Sequence, residues 1–269
     1  MPRKTILHAS DTHFGYPFRP QVAERFVQQA HELAPDLLVI SGDLTQRARP
    51  HQYRAARQWL DRLPQPLLVV PGNHDVPLFN LVERLRAPVR RYRQYISPDL
   101  EPVYEDGGLL AIGLCSARAH TTQNGWLLPE QIAHTKALVA ARTPQQAAGL
   151  VVHHHFVPVP GTFQKPIANA AGLLQEFDAL GADLLLVGHC HRASVHRAEG
   201  GLVLVQAGTT TSTRGKSTDR RKNNFHLIHL DSHHLEVTRW QWDEGAGEFQ
   251  PLLREGFHRR TPPPFFLAR

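Results

Sequence analysis

The chain has 269 residues, a formal charge of +6 and 41% hydrophobic residues, which fits one large α/β domain with its own core and argues against disorder. Its two cysteines lie outside any CxxC, which excludes a disulfide framework and disfavours a thiolate zinc site or thiol-redox chemistry. No apolar run approaches the roughly 18 residues that span a membrane, and the apolar stretch at the N-terminus is too short for a secretory signal; the expectation is a soluble, cytoplasmic protein with no membrane partner.

Short apolar runs at 5–10, 36–41, 66–70, 109–114, 149–153 and 183–188 lack polar alternation and read as strands covered on both faces. Between them, segments 20–33, 52–63 and 129–141 read as helices. The first places Val22, Phe26, Val27, Ala30 and Leu33 on one stripe, and Pro129 opens the third. This alternation predicts an α/β layer sandwich. Runs at 202–208, 224–231 and 234–243 read as a second, partly antiparallel sheet in the same domain, which extends over 1–245. Segment 246–269 reads as a loop-like tail, because Pro262–Pro264 forbid a regular helix or central strand. Segments 83–95 and 213–222 are strongly basic.

The residues that follow the apolar runs carry the chemistry. Asp11 and His13 follow the first run, Gly42 and Asp43 the second, and Asn73, His74 and Asp75 the third. His153, His154 and His155 follow the fifth, and His189, Cys190 and His191 the sixth. The carboxyl ends of strands form the site edge in open α/β sheets, so these residues are expected to converge. Carboxylate, carboxamide and imidazole suit Mn, Fe, Zn or similar divalent ions. In an extended segment residues i and i+2 point the same way, so Asp11 and His13 are expected to reach one metal together and His189 and His191 to lean toward one site, with Cys190 a packed thiol. One carboxylate must bridge two ions for them to lie about 3.5–4 Å apart, and Asp43, alone on its turn, is the best candidate. Taken singly, Asp11 reads as a cap, Gly42-Asp43 as a turn and the three histidines as surface. Gly72-Asn73-His74-Asp75 is sharper, because a turn does not need the histidine. All five at strand ends leave the purely structural reading little room.

Asp11-Thr12-His13, Gly42-Asp43, Gly72-Asn73-His74-Asp75, His154 and Gly188-His189-Cys190-His191 together resemble the motifs of the calcineurin-like metallophosphoesterase superfamily. The resemblance spans about 1–245. It implies a four-layer α/β/β/α sandwich with two central mixed sheets and a binuclear metal site at the strand ends. It implies Asp11, His13 and His191 on one metal, Asn73, His154 and His189 on the other, and Asp43 bridging. The two divalent ions would be Mn, Fe, Zn or Co, with Mn favoured. It implies that His74 donates to a phosphate oxygen or the leaving group, that Asp75 orients His74, and that a metal-held hydroxide attacks phosphorus in line. Family members usually carry Pro two residues after the fourth-motif His. Phe156 stands there, and a slip of one residue selects His153 or His155.

The phrases SGDLTQRA, VPGNHDVP and AGTTTSTR resemble bacterial members of the branch that includes class III cyclic-nucleotide phosphodiesterases and glycerophosphodiesterases. That implies a phosphodiester substrate, with a small one such as a cyclic nucleotide as the leading reading. The alternative is a Mn-dependent nuclease with nucleic acid as partner. The opening ILHASDTHFG is similar to that of the DNA-repair nucleases of the same superfamily, and Arg90, Arg91 and Arg93 interleave with Tyr92 and Tyr95. The competing reading of that segment is a solvated helix face. Arg214, Lys216, Arg220, Arg221 and Lys222 either steer an anionic substrate or form a surface loop. A non-catalytic metal-binding scaffold is the third reading, disfavoured because no ligand position is lost.

Overall fold

The computed structural model describes residues 2–121, 123–162, 164–214 and 222–260. Strands β1 (Lys4–Ala9), β2 (Leu37–Ile40) and β3 (Leu67–Val69) run parallel. Helices α1 (Pro20–Leu33) and α2 (Pro50–Leu60) connect them. Each opens on proline, where the missing N–H has no intrahelical partner to lose. Short helices α3 (Leu81–Arg86) and α4 (Arg90–Tyr95) then lead to β4 (Val103–Glu105) and β5 (Leu109–Leu114). Helix α5 (Pro129–Ala141) links β5 to β6 (Ala147–Val152), and α6 (Ala170–Ala179) links β6 to β7 (Leu184–Val187). Strands β8 (Ser194–Arg197), β9 (Val203–Gln206), β10 (Asn224–Leu230), β11 (His234–Asp243) and β12 (Glu248–His258) complete the fold.

Two six-stranded sheets result, ordered β12-β11-β10-β1-β2-β3 and β4-β5-β6-β7-β9-β8. Strand alternation sets the layers. Ile6, Val39, Leu68, Ile228 and Val237 face Ala111, Val151, Leu186 and Val205 between the sheets. Leu7, Leu38 and Ile40 turn outward onto Phe26, Tyr53 and Leu60 of α1 and α2. Leu150, Val152 and Leu185 turn outward onto Val139 of α5 and Leu173 and Phe177 of α6. This is the expected four-layer α/β/β/α sandwich. No helix among the described residues is long and apolar enough to cross a membrane.

Two sequence expectations are corrected. The runs after residue 200 do not form a sheet of their own. β9 lies parallel to β7, whereas β10 and β11 extend the sheet of β1. The buried patterns of β9 and β10 fit either sheet, so pattern alone could not assign them. Segment 246–258 is also not loop-like, because β12 pairs with β11 from Asp243 opposite Glu248 to His234 opposite His258. Pro251 is tolerated because β12 is an edge strand and the register shifts between Arg239 and Trp240. The Pro262–Pro264 run lies outside the described residues.

An ion pair ties the two sheets at the end of β1. Lys4 Nζ lies 2.7 Å from Asp106 Oδ2, in the turn before β5. Asp106 also accepts from Tyr104 Oη at 2.6 Å and from the N–H groups of Gly108 and Leu109. Burial opposes its ionisation, but these donors, Lys4 foremost, hold the carboxyl at about 2. A depressed carboxyl contributes stability above its unfolded pKa and loses it as pH falls toward the folded value. Asp106→Asn is therefore expected to cost about 1 kcal/mol at pH 7, after allowing for solvent screening. That deficit should shrink steadily between pH 4 and pH 2 in denaturant titrations of the two proteins.

Candidate metal centre

The ends of β1, β2, β3, β6 and β7 meet at one edge of the two sheets. Asp11, His13, Asp43 and His191 are all buried and each offers a ligand atom within 4.8 Å of the others. His191 Nε2 lies 3.0 Å from Asp11 Oδ1 and 3.0 Å from His13 Nε2. His13 Nε2 is 3.5 Å from Asp11 Oδ1 and 3.8 Å from Asp43 Oδ2.

The local backbone differs from the extended geometry expected from the spacing. Asp11, His13, Asp43, His189 and His191 all have positive φ, between 48° and 76°. That region is costly for residues with a Cβ and persists where surroundings enforce it. Here the loops after β1 and β2 are zipped together, Asp11 N–H to Gly42 O and His13 N–H to Asp43 O, both at 3.0 Å. Thr209 Oγ1 donates to Asp11 O at 2.7 Å and Thr211 Oγ1 to Thr12 O at 2.8 Å. Convergence thus comes from left-handed turns rather than strand alternation. Gly72 passes so close to Asp43 that a Cβ there would collide with the carboxylate.

Asp43 faces a second set of groups through its other oxygen. His153 Nε2 lies 3.3 Å from Asp43 Oδ1 and 3.2 Å from Asn73 Oδ1. The His189 ring packs 5.2 Å from that of His153, with its Nε2 buried and lacking a hydrogen-bond partner. At the fourth-motif position the residue that faces Asp43 is His153, not the expected His154. His154 has its Nδ1 2.7 Å from Ser116 Oγ beyond β5, and its ring packs 4.6 Å from that of His189. Adjacent residues at a strand end point to opposite sides, and the glycine at 42 leaves room for the His153 ring. His155 packs on His189 at 5.5 Å rather than on Asp43.

The electrostatics fit a bound cation. Burial opposes ionisation of Asp11 and Asp43, yet the surrounding imidazoles hold both carboxyls well below the usual range. Burial also disfavours the imidazolium of His153, but Asp43 overrides it and pulls the group up to about 9. His191 Nδ1 lies 2.8 Å from Arg214 O, and His153 Nδ1 2.8 Å from Ser41 O. Each carbonyl fixes Nδ1 as a donor, which makes Nε2 the nitrogen that would offer its lone pair to a metal once the ring gives up its second proton. Carboxylate, carboxamide and imidazole lone pairs converging in a dry site are a donor set for divalent metal.

His74 and Asp75 occupy different environments. His74 N–H donates to Asp43 Oδ1 at 2.8 Å, and its ring meets His13 edge-on at 5.0 Å. Its Nδ1 lies 2.8 Å from Gln46 O, with guanidinium nitrogens of Arg47 and Arg214 each at 3.2 Å. Burial, with the Arg214 charge nearby, pushes the imidazolium down to about 3, so the ring is neutral. Asp75 does not meet the expectation that it orients His74. Its carboxylate accepts from the N–H groups of Leu44, Thr45 and Gly72 and from Thr45 Oγ1, at 2.8–3.0 Å. It braces the turns that carry Asp43 and Asn73. Burial and the Asp43 charge push it up to about 7, while those four donors favour its carboxylate.

A pocket opens over this centre, lined by Gln46, Arg47, Asn73, His74, Val76, Leu78, Gln123 and Arg214. Arg47 lies in the phrase SGDLTQRA but was not itself singled out there. Arg214 belongs to the basic segment already singled out. Lys216, Arg220 and Arg221 lie outside the described residues. Segment 83–95 is no stacking surface. Tyr92 is buried with its hydroxyl on Val69 O at 3.0 Å, Tyr95 stacks on Tyr53 at 5.8 Å, and Arg90 and Arg91 pair with Glu83.

The reassigned histidine is testable by metal content. In Mn-loaded protein, His153→Ala is expected to lose about one ion per chain, whereas His154→Asn keeps the unaltered protein's complement. Plasma mass spectrometry reads both, and loss of metal from His154→Asn alone would restore the sequence-based assignment.

Residues 4–193 match the family described as Calcineurin-like phosphoesterase. The glycerophosphodiester phosphodiesterase GpdQ of Enterobacter lignolyticus is 30% identical over 205 residues, which cover 71% of this chain and 72% of that protein. A protein of Vesicomyosocius okutanii named "Probable cyclic nucleotide phosphodiesterase" is 24% identical over 220 residues, 81% of this chain and 88% of that one. Among solved structures, purple acid phosphatase PPD1 from yellow lupin shares the fold at a TM-score of 0.71 and 12% identity, over 96% of this chain and 54% of that one. This chain therefore spans about half the length of the lupin protein. By its motifs, its sheets and this match, the chain belongs to the calcineurin-like phosphoesterase family and is a hydrolytic phosphoesterase.

Proposed function

We infer that the chain hydrolyses small phosphodiesters, with a cyclic nucleotide as the leading substrate, at a centre of two divalent ions in which Mn serves. The observation that carries this reading is Asp43, which turns one oxygen to His13 and the other to His153 and so is placed to be shared. Asp11, His13 and His191 would hold one ion, and Asn73, His153 and His189 the other. Ions held there supply Lewis acidity and a water of lowered pKa.

The chain's own residues do the rest. Arg47 and Arg214 flank His74 and bind the phosphate as fixed positive charges. His74 is neutral and tied through Nδ1–H to Gln46 O, so its Nε2 carries a lone pair; it donates to a phosphate oxygen or to the departing oxygen only after taking up the proton that the attacking water gives up. Gln123 adds an amide group to the lining. The pocket holds about 190 Å3, below the roughly 300–1,000 Å3 of drug-sized ligand sites, which suits one phosphate with a compact arm. The curated relatives above are named for phosphodiesters, which supports the same class.

His74→Asn is expected to lower kcat on a bis-aryl phosphodiester by about 10²-fold with KM changed less than about threefold, as loss of a group acting mainly in the transition state. With Mn-loaded protein, 3′,5′-cyclic AMP is expected to compete and be consumed, while single-stranded DNA does not compete at 0.15 M salt. Cleavage of the DNA instead would support the nuclease reading. No hydrolysis with any common divalent ion would overturn the reading.

A further inference from the structure

Helix α3 is built inside out. Its buried side chains are the charged ones. Glu83 accepts from Arg90 Nη2 at 2.9 Å and Arg91 Nε at 2.8 Å. Arg84 donates to the carbonyls of Pro77 at 3.0 Å, Ala119 at 2.6 Å and Thr121. Asn80 caps the helix by accepting from Glu83 N–H at 3.1 Å. These bonds fix the helix with its apolar side outward, where Leu81, Val82 and Leu85 are 64%, 63% and 68% exposed. Spacings of three and four residues put all three on one face. A surface helix ordinarily has the reverse polarity, and a contiguous apolar patch of this kind marks a binding surface.

The patch continues into the catalytic pocket. Phe79, 74% exposed, lies under Arg47, whose guanidinium carbon is 6.0 Å from the ring centroid. Leu78 and Val76 line the pocket beside Arg47, His74 and Arg214. We propose that Leu78, Phe79 and the outer face of α3 seat the aliphatic arm of an amphiphilic phosphodiester whose phosphate lies at Arg47, Arg214 and His74. This rests on the phosphodiesterase reading and replaces its leading cyclic nucleotide with an ester of one compact and one apolar arm. Six helical residues rise about 9 Å, which matches a single chain drawn from solution rather than the plane of a bilayer.

The test uses the Mn-loaded full chain and p-nitrophenyl alkyl phosphodiesters with methyl, butyl and octyl arms, each below its critical micelle concentration. The readout is the octyl-to-methyl ratio of kcat/KM in the unaltered protein and in a Leu81→Ser, Leu85→Ser variant. The expected ratio is at least about tenfold in the former and under about twofold in the latter, because each methylene loses its apolar cover. A flat series in the unaltered protein, or an unchanged ratio in the variant, overturns the inference and leaves the phosphodiesterase reading standing. Hydrolysis of no ester overturns both. A gain seen only with octyl ester in phosphatidylcholine vesicles assigns the patch to a bilayer and overturns the inference. So does conversion of a dimer to a monomer in the variant, by light scattering, with the ratio unchanged, since a second copy then covers the patch.

Discussion

Asp11 and Asp43 are buried side by side where the two sheets meet, 0% and 1% exposed. A buried charge persists only beside a compensating one, because its desolvation otherwise costs several kcal/mol. The surroundings supply imidazoles and backbone N–H groups but little fixed positive charge at the carboxylates themselves. His153 is drawn toward protonation for that reason. Divalent metal answers the same demand more completely.

That arrangement has a local cost. Five of the site residues sit in the left-handed region, at roughly 1–3 kcal/mol each for non-glycine residues. The cost is met by bonds that leave the turns no alternative. The β1 and β2 loops are zipped by backbone pairs, Thr209 and Thr211 fasten the first of them, and Asp75 braces the second with three bonds. Ordinary sheet packing then matters to chemistry. Ile6 against Leu186 and Val205 in the layer between the sheets holds the ends of β1 and β7 in reach of each other. Asp11 Oδ2 in consequence accepts the His189 N–H at 2.9 Å.

The sequence showed the ligand types and their order at strand ends, and with them the layer architecture. Side-chain direction was not legible at the same positions. Of three consecutive histidines, His153 takes the space over Gly42 and His154 the space over Gly125. The extended-segment argument for Asp11 and His13 reached the right neighbours through the wrong backbone, because positive φ at a non-glycine residue leaves no mark in sequence. Asp75 lies beside His74 in the chain, yet its carboxylate faces the turn behind it. β12 was hidden because the Pro262–Pro264 run coloured the reading of the whole tail, while Pro251 by itself is compatible with an edge strand. The polarity of α3 was concealed in a segment rich in arginine, where charge ordinarily means solvent. There Glu83 and Arg84 are the inward residues and the leucines face out.

Electron paramagnetic resonance of the Mn-loaded protein tests the shared carboxylate most directly. Two ions joined through Asp43 give the spectrum of an exchange-coupled pair, and Asp43→Asn replaces it with that of isolated ions. An isolated-ion spectrum from the unaltered protein at two ions per chain would contradict the bridging role of Asp43.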